Sequence, residues 1–145
     1  MCIRDRAGAG VAAREVLRGE DLLRYREAVR EVHVDRLVAT YAVHLADATR
    51  NPVARGLEDI APHIEFGASP RASIGLIQAG QALAMLRGRT HVTAADVHDL
   101  APDVLRHRLV LSYDALADGI RPEDLLDRVL DVVAPPGKAP LAEAA

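Results

Sequence analysis

The residues of this sequence that could do chemistry gather in one short stretch, Gly67-Ala68-Ser69-Pro70-Arg71-Ala72, just ahead of a mostly apolar run from residue 73 to 86. The stretch reads as a helix start. A serine hydroxyl accepts well from a backbone N–H two or three residues on, which makes Ser69 the expected N-cap. Pro70 suits the first helical position, where φ is already set and no N–H is needed. Gly67 before it is expected to let the chain turn sharply. Arg71 is the odd choice, because a cation in the first turn faces the positive end of the helix dipole. Two readings stay open on local physics. Arg71 is a solvated arginine in an ordinary first turn, or it has an anion beside it that both the guanidinium and the exposed N–H groups would favour.

Other chemistries leave no trace. There is no G-x-x-x-x-G-K-[S/T] phosphate loop and no G-x-G-x-x-G, and Gly8-Ala9-Gly10 is too short to count. The histidines at 33, 44, 63, 91, 98 and 107 show no metal-ligand spacing, so no metal site is expected. No G-x-S-x-G elbow occurs, and the acidic pairs Glu58-Asp59 and Glu123-Asp124 read as ordinary loop and helix-start residues. Cys2 is the single cysteine, so no disulfide framework arises. A formal net charge of −3 argues against a nucleic-acid surface. Gln78, Gln81 and Arg87 interrupt the most apolar stretch, so no membrane insertion is expected. With no basic segment leading into an apolar one at the start, a cytoplasmic chain is expected.

The elements that would position Arg71 are helical. Half the residues are apolar and only 3% aromatic, a balance that favours helices over sheets. The expected fold class is all-α, a small bundle of about four or five main helices. Leu22, Tyr25, Val29 and Val32 recur at helical spacing over residues 20–32. Asp35 caps a second helix to about residue 48, striped by Leu37, Val38, Tyr41, Leu45 and Ala48. Residues 51–66 contain Asn51-Pro52, Gly56 and Pro62 and read as a long loop with one short helical turn. The Ser69-capped helix runs to Arg87, ends at Gly88, and is expected to be central and buried nearly all round. Thr93 and Asp96 form a capping-box-like start for a helix to residue 100, and Pro102 restarts a second short one. Residues 108–111 are β-prone without an evident partner, and 112–119 read as a turn. Pro122 opens a last helix lined by Leu125, Leu126, Val129, Leu130 and Val133. The expected core is Leu37, Tyr41, Leu45, Ile77, Leu83, Leu86, Val97, Leu105 and Leu130.

Taken together, these segments resemble a known family. Gly67 to Ala72 resembles the sensor-2 signature of the MoxR family of AAA+ ATPases. The residues Ala82-Leu83-Ala84-Met85-Leu86-Arg87-Gly88-Arg89, then Val92 to Val97, then Val104-Leu105-Arg106-His107-Arg108-Leu109 resemble its helical lid in the same order. Val32-His33-Val34 and Ala48-Thr49-Arg50 also fit. The resemblance implies a lid over residues 16–134; the MCIRDR opening and the small, Gly-rich stretch after it read as a non-native or truncated, disordered start over 1–15, and the Ala-rich end as a disordered tail over 135–145. It implies that Arg71 reaches the γ-phosphate of ATP, with Ser69, Pro70 and Gly67 supporting the helix start, and that ATP with Mg²⁺ is bound by the full-length parent. It implies no catalytic residue here, because the Walker A and B motifs, sensor 1 and arginine finger lie in the parent's nucleotide-binding core. The chain alone is thus expected not to be an ATPase. The implied partners are that core, neighbouring subunits of a ring, and proteins with von Willebrand A domains. The implied work is chaperone-like remodelling or maturation of partners. The competing readings are a stand-alone helical protein-interaction module, a helix-turn-helix around residues 93–107, and a magnesium-chelatase-like lid.

Overall fold

In the computed structural model, residues 14–137 are described; most of the expected disordered start (1–15) and tail (135–145) lies outside them. The chain folds around one helix, α3 (Arg71–Leu86), flanked by α1 (Gly19–Arg30), α2 (Arg36–Arg50) and α4 (Ala94–Leu105). Two short helices follow, α5 (Tyr113–Ala117) and α6 (Pro122–Val132). A two-stranded antiparallel sheet joins β1 (Ile64–Phe66) to β2 (Val110–Leu111).

The burying ridge of α3 is Ala72, Leu76, Gly80 and Ala84, four residues apart and therefore in line on one face. Small residues on that ridge let its neighbours in. A Cβ on Gly80 would lie 2.9 Å from Val92 Cγ1. The helix closes with Gly88 in the left-handed region at φ 70°, where its N–H donates to Met85 O and that of Arg89 to Ala84 O. The opposite face of α3 meets solvent. Ile74 is 55% and Leu86 79% exposed, so the helix is not buried all round, and Leu86 leaves the expected core because it lies about 200° from Ala84 around the axis.

Asp35 caps α2 as expected, accepting from the Leu37 N–H at 2.7 Å. Leu37 itself is 63% exposed, because the buried face is phased on Val38, Tyr41, Ala42 and Leu45 and misses it by one position. Tyr41, Leu45, Val97 and Leu105 are buried, Ile77 and Leu130 pack partly buried against the core, and Leu83 is half-buried. The expected inner face of the first helix is also corrected. No residue of α1 is buried and Leu22 and Tyr25 are exposed, since α1 lies against α3 at the edge of the bundle. Val32, just past it, is buried, and Gln81 Nε2 donates to its carbonyl at 2.8 Å. His33 then bridges to His91, tying the α1–α2 link to the α3–α4 link.

Three further expectations change. Pro102 does not restart a helix; α4 runs through it as one helix, because the buried stripe Val97, Ala101 and Leu105 continues across the single hydrogen bond that proline removes. Residues 112–119 contain α5, capped by Ser112 Oγ accepting from the Ala115 N–H at 3.2 Å. The 51–66 segment is not a plain loop with one turn. It holds two 3₁₀ turns, Val53–Arg55 and Ala61–His63, and its end is β1, the partner that the β-prone stretch at 108–111 lacked in sequence. Leu57 and Ile60 anchor it in the core. Asp47 anchors its start, where hydrogen bonds from Arg55 and then Asn51 hold its carboxyl below the usual range.

Asp96, fully buried, joins α3 to α4. It accepts from Arg89 Nη1 at 2.7 Å and Nη2 at 2.5 Å, from Arg87 Nη1 at 2.8 Å, and from both the N–H and hydroxyl of Thr93. Burial works against its ionisation, but the hydrogen bonds from Arg89 and Thr93 outweigh that and hold the carboxyl well below its ordinary value. A depressed native value adds stability that is complete above the unfolded carboxylate range and is lost as pH falls toward the native one. Asp96→Asn should therefore lower stability by about 2 kcal/mol at neutral pH, with the difference shrinking in acid. Urea unfolding of both proteins at pH 7 and pH 3 measures it.

Candidate functional site

The approach to Arg71 is built from backbone contacts at the end of α2. Thr49 is fully buried; its hydroxyl donates to Ala46 O at 2.7 Å and accepts from the Ala68 N–H at 2.9 Å. That bond fixes the segment leading into α3. Gly67 lies flat against the same turn, and a Cβ there would sit 2.2 Å from Thr49 O and 2.6 Å from Arg50 N. Its φ is not positive, so glycine is required by close approach and not by the sharp turn expected from sequence. Thr49 carried no signal beyond its place in Ala48-Thr49-Arg50, because a threonine in the last turn of a helix has no local reason to reach a residue nineteen positions on.

The helix start differs from expectation by one residue. Pro70 takes the cap position with helical φ −55° and ψ −24°, and α3 begins at Arg71. No side chain caps it. The Ser69 hydroxyl does not act as N-cap; Ser69 contributes its carbonyl, which accepts from the Ala72 N–H at 2.8 Å. The reason is the helical backbone of Pro70, which moves the cap past Ser69. Ser73 Oγ donates back to Pro70 O at 2.7 Å and closes the first turn.

Arg71 is exposed and has no hydrogen-bond or ion-pair partner among the described residues. The electrostatics of its helix are unusual here. The starts of α1, α4 and α6 carry Glu20 and Asp21, Asp96, and Glu123 and Asp124, and α2 is capped by Asp35. The first turn of α3 has no acid and instead has an arginine. The positive dipole end and the guanidinium reinforce one another, and together they can hold an anion.

A family model for AAA lid domains matches residues 56–129, a span that contains Arg71. The chain belongs to the AAA lid domain family. The chaperone MoxR1 of Mycobacterium tuberculosis is 48% identical over 124 residues, which cover 86% of this chain and 33% of that protein. The protein MoxR of Paracoccus denitrificans is 33% identical over 110 residues, covering 72% of this chain and 32% of that one. A crystal structure from Cytophaga hutchinsonii, named as that of a "putative ATPase", superposes with a TM-score of 0.77 at 35% identity over 79% of this lid and 35% of that chain. The lid spans about a third of the length of each of these relatives.

The six histidines are not brought together, and among the described residues no three His, Cys, Asp or Glu side chains are grouped to hold a metal ion. No helix among the described residues is long and apolar enough to cross a membrane. The lid does expose apolar surface. Phe66, Val110, Tyr113 and Leu116 are each half or more exposed beside the small sheet, and Leu22, Leu23 and Tyr25 are exposed on α1.

The Gly67 contact gives a direct stability test. Gly67→Ala should cost about 2 kcal/mol, because the new methyl meets backbone that must shift. Gly19→Ala, where a Cβ would meet nothing within 4 Å, should not destabilise. Thermal unfolding of the two variants side by side separates close packing from a general glycine effect.

Proposed function

We propose that this chain is the lid of a MoxR-type AAA+ ATPase and that Arg71 is its sensor-2 arginine, directed at the γ-phosphate of ATP. The placement of Arg71 carries the reading. It is an exposed guanidinium at the start of α3, unpaired among the described residues and with no acid in its first turn, in a chain of the AAA lid family. A planar guanidinium matches phosphate oxygens in fork geometry, and the helix start adds to the attraction. Gly67 and Ala68, clamped on Thr49, hold the backbone that presents it, and Pro70 presets the first turn. Ser69 supports the start through its carbonyl.

These residues fit the end of a polyphosphate. ATP and Mg²⁺ in the parent would otherwise be held by the nucleotide-binding core, and ATP supplies the γ-phosphate whose presence the lid reads. While that phosphate is present, Arg71 ties the lid to the nucleotide. Its departure removes the acceptor and frees the lid to rotate, which converts hydrolysis into motion. In a cytoplasmic ring of such subunits this motion would remodel partner proteins, including ones with von Willebrand A domains. The name of the Mycobacterium tuberculosis relative, a chaperone, supports that direction. The exposed apolar residues of α1 and of the sheet would be covered by the core and by neighbouring subunits.

The test is made on the intact ATPase that carries this lid. Arg71→Ala should cut its preference for a non-hydrolysable ATP analogue over ADP by about tenfold, the weight of a charged hydrogen bond. An unchanged preference would sink the sensor reading and favour a stand-alone interaction module. The 145-residue chain by itself should turn over no ATP, and steady phosphate release from it would overturn the assignment of catalysis to the core.

A further inference from the structure

Three arginines of the described residues are partly buried, namely Arg55, Arg89 and Arg108. Arg55 holds Asp47 through both Nε and Nη2, and Arg89 holds Asp96 in the same two-pronged way. Arg108 holds no carboxylate. Its one hydrogen bond among the described residues runs from Nε to Val104 O at 3.0 Å, one turn back, and leaves its Nη groups without an acceptor. A half-desolvated guanidinium with no anion is unfavourable, so something outside this fold has reason to meet it.

Its position says what. α3 and α4 lie side by side, with Arg87 at the end of α3 bound to Asp96 at the start of α4. Their other ends meet as well. A Cβ on Gly75 would lie 3.4 Å from Val104 Cγ1 and 3.8 Å from Arg108 Nη2. Gly75 is four residues after Arg71, on the same face of α3. The Arg108 guanidinium therefore reaches the face of α3 that carries Arg71, one turn further along the helix. Glycine leaves that space open, whereas a longer side chain at 75 would crowd the Arg108 guanidinium. Two cations brought to one helix face repel, and an anion between them would relieve that repulsion.

We infer that Arg108 is a second phosphate-binding arginine of the site, meeting the same triphosphate end as Arg71 from the α4 side. The inference rests on the sensor reading of Arg71 and adds a residue to it. Arg108 sets how firmly the lid distinguishes a triphosphate from a diphosphate, since the pair addresses one more charged group than Arg71 can alone.

The experiment uses the intact ATPase carrying this lid, with affinities for ATPγS and ADP, kcat and KM for ATP, and thermal midpoints measured for each variant. Arg108→Gln should lower the preference for ATPγS over ADP by about tenfold, with Arg108→Lys recovering part of it. Gly75→Leu keeps both arginines but crowds the Arg108 guanidinium, and should lower the preference in the same direction. If Arg71→Ala collapses the preference while Arg108→Gln and Gly75→Leu leave it unchanged, the Arg108 inference is overturned and the sensor reading stands. If Arg71→Ala has no effect, the sensor reading fails and the inference that Arg108 acts beside Arg71 fails with it, whatever Arg108→Gln does. A fall in thermal midpoint without a change in preference makes Arg108 a structural residue only.

Discussion

One buried charge sets the geometry on which the rest of this lid depends. Asp96 has no exposed surface and is satisfied from three sides, by Arg87 and Arg89 at the end of α3 and by Thr93 at the start of α4. An ionised carboxylate out of water is tolerated only when its lone pairs are met this fully. Its partners come from both sides of the Gly88 turn, so they determine how α4 returns along α3. With the ends joined at Asp96, the far end of α4 is carried to the first turns of α3, and Val104 reaches Gly75. The charged cluster lies at one end of the helix pair and Arg71 at the other. The two are connected through the register of the packed helices.

Close backbone approach does the remaining positioning. Gly80 admits Val92 along the α3 ridge, and Gly67 lies against Thr49 at the end of α2. The Thr49 hydroxyl then uses both its donor and its acceptor capacity, toward Ala46 and Ala68, and so leaves no buried polar group of its own unmet. These contacts make the entry to α3 rigid without occupying Arg71. The backbone before Arg71 is thus fixed, while its guanidinium meets no acceptor among the described residues.

Much of the fold could be read from local signals. The Asp35 cap, the Thr93–Asp96 capping box and the Gly88 stop each involve residues within a few positions of one another, and each appears where the spacing places it. The misreadings share a cause. Leu37 and Leu86 are apolar and sit in helices, but exposure depends on which neighbours pack against the helix and not on its own composition. Ser69 is a good capping residue by type, yet the chain entering α3 is already held by Thr49 and Pro70 turns helical, so the cap moves on. Pro102 marks a helix break by rule, and the packing of Val97, Ala101 and Leu105 overrides it. The strand at 110–111 had no visible partner because its partner lies more than forty residues earlier, inside what reads as a loop.

The sequence by itself determined that the chain is helical, where most helices start and stop, and that Arg71 stands out in a first turn where an acid would be the better choice. Those facts rest on dihedral preferences, capping bonds and the direction of one dipole, all of them local. Only the tertiary structure decided which faces are buried, why residue 67 must be glycine, and that Arg108 reaches Gly75, one turn along α3 from Arg71. These depend on van der Waals exclusion and charge pairing between segments far apart in the chain, whose juxtaposition no local preference encodes.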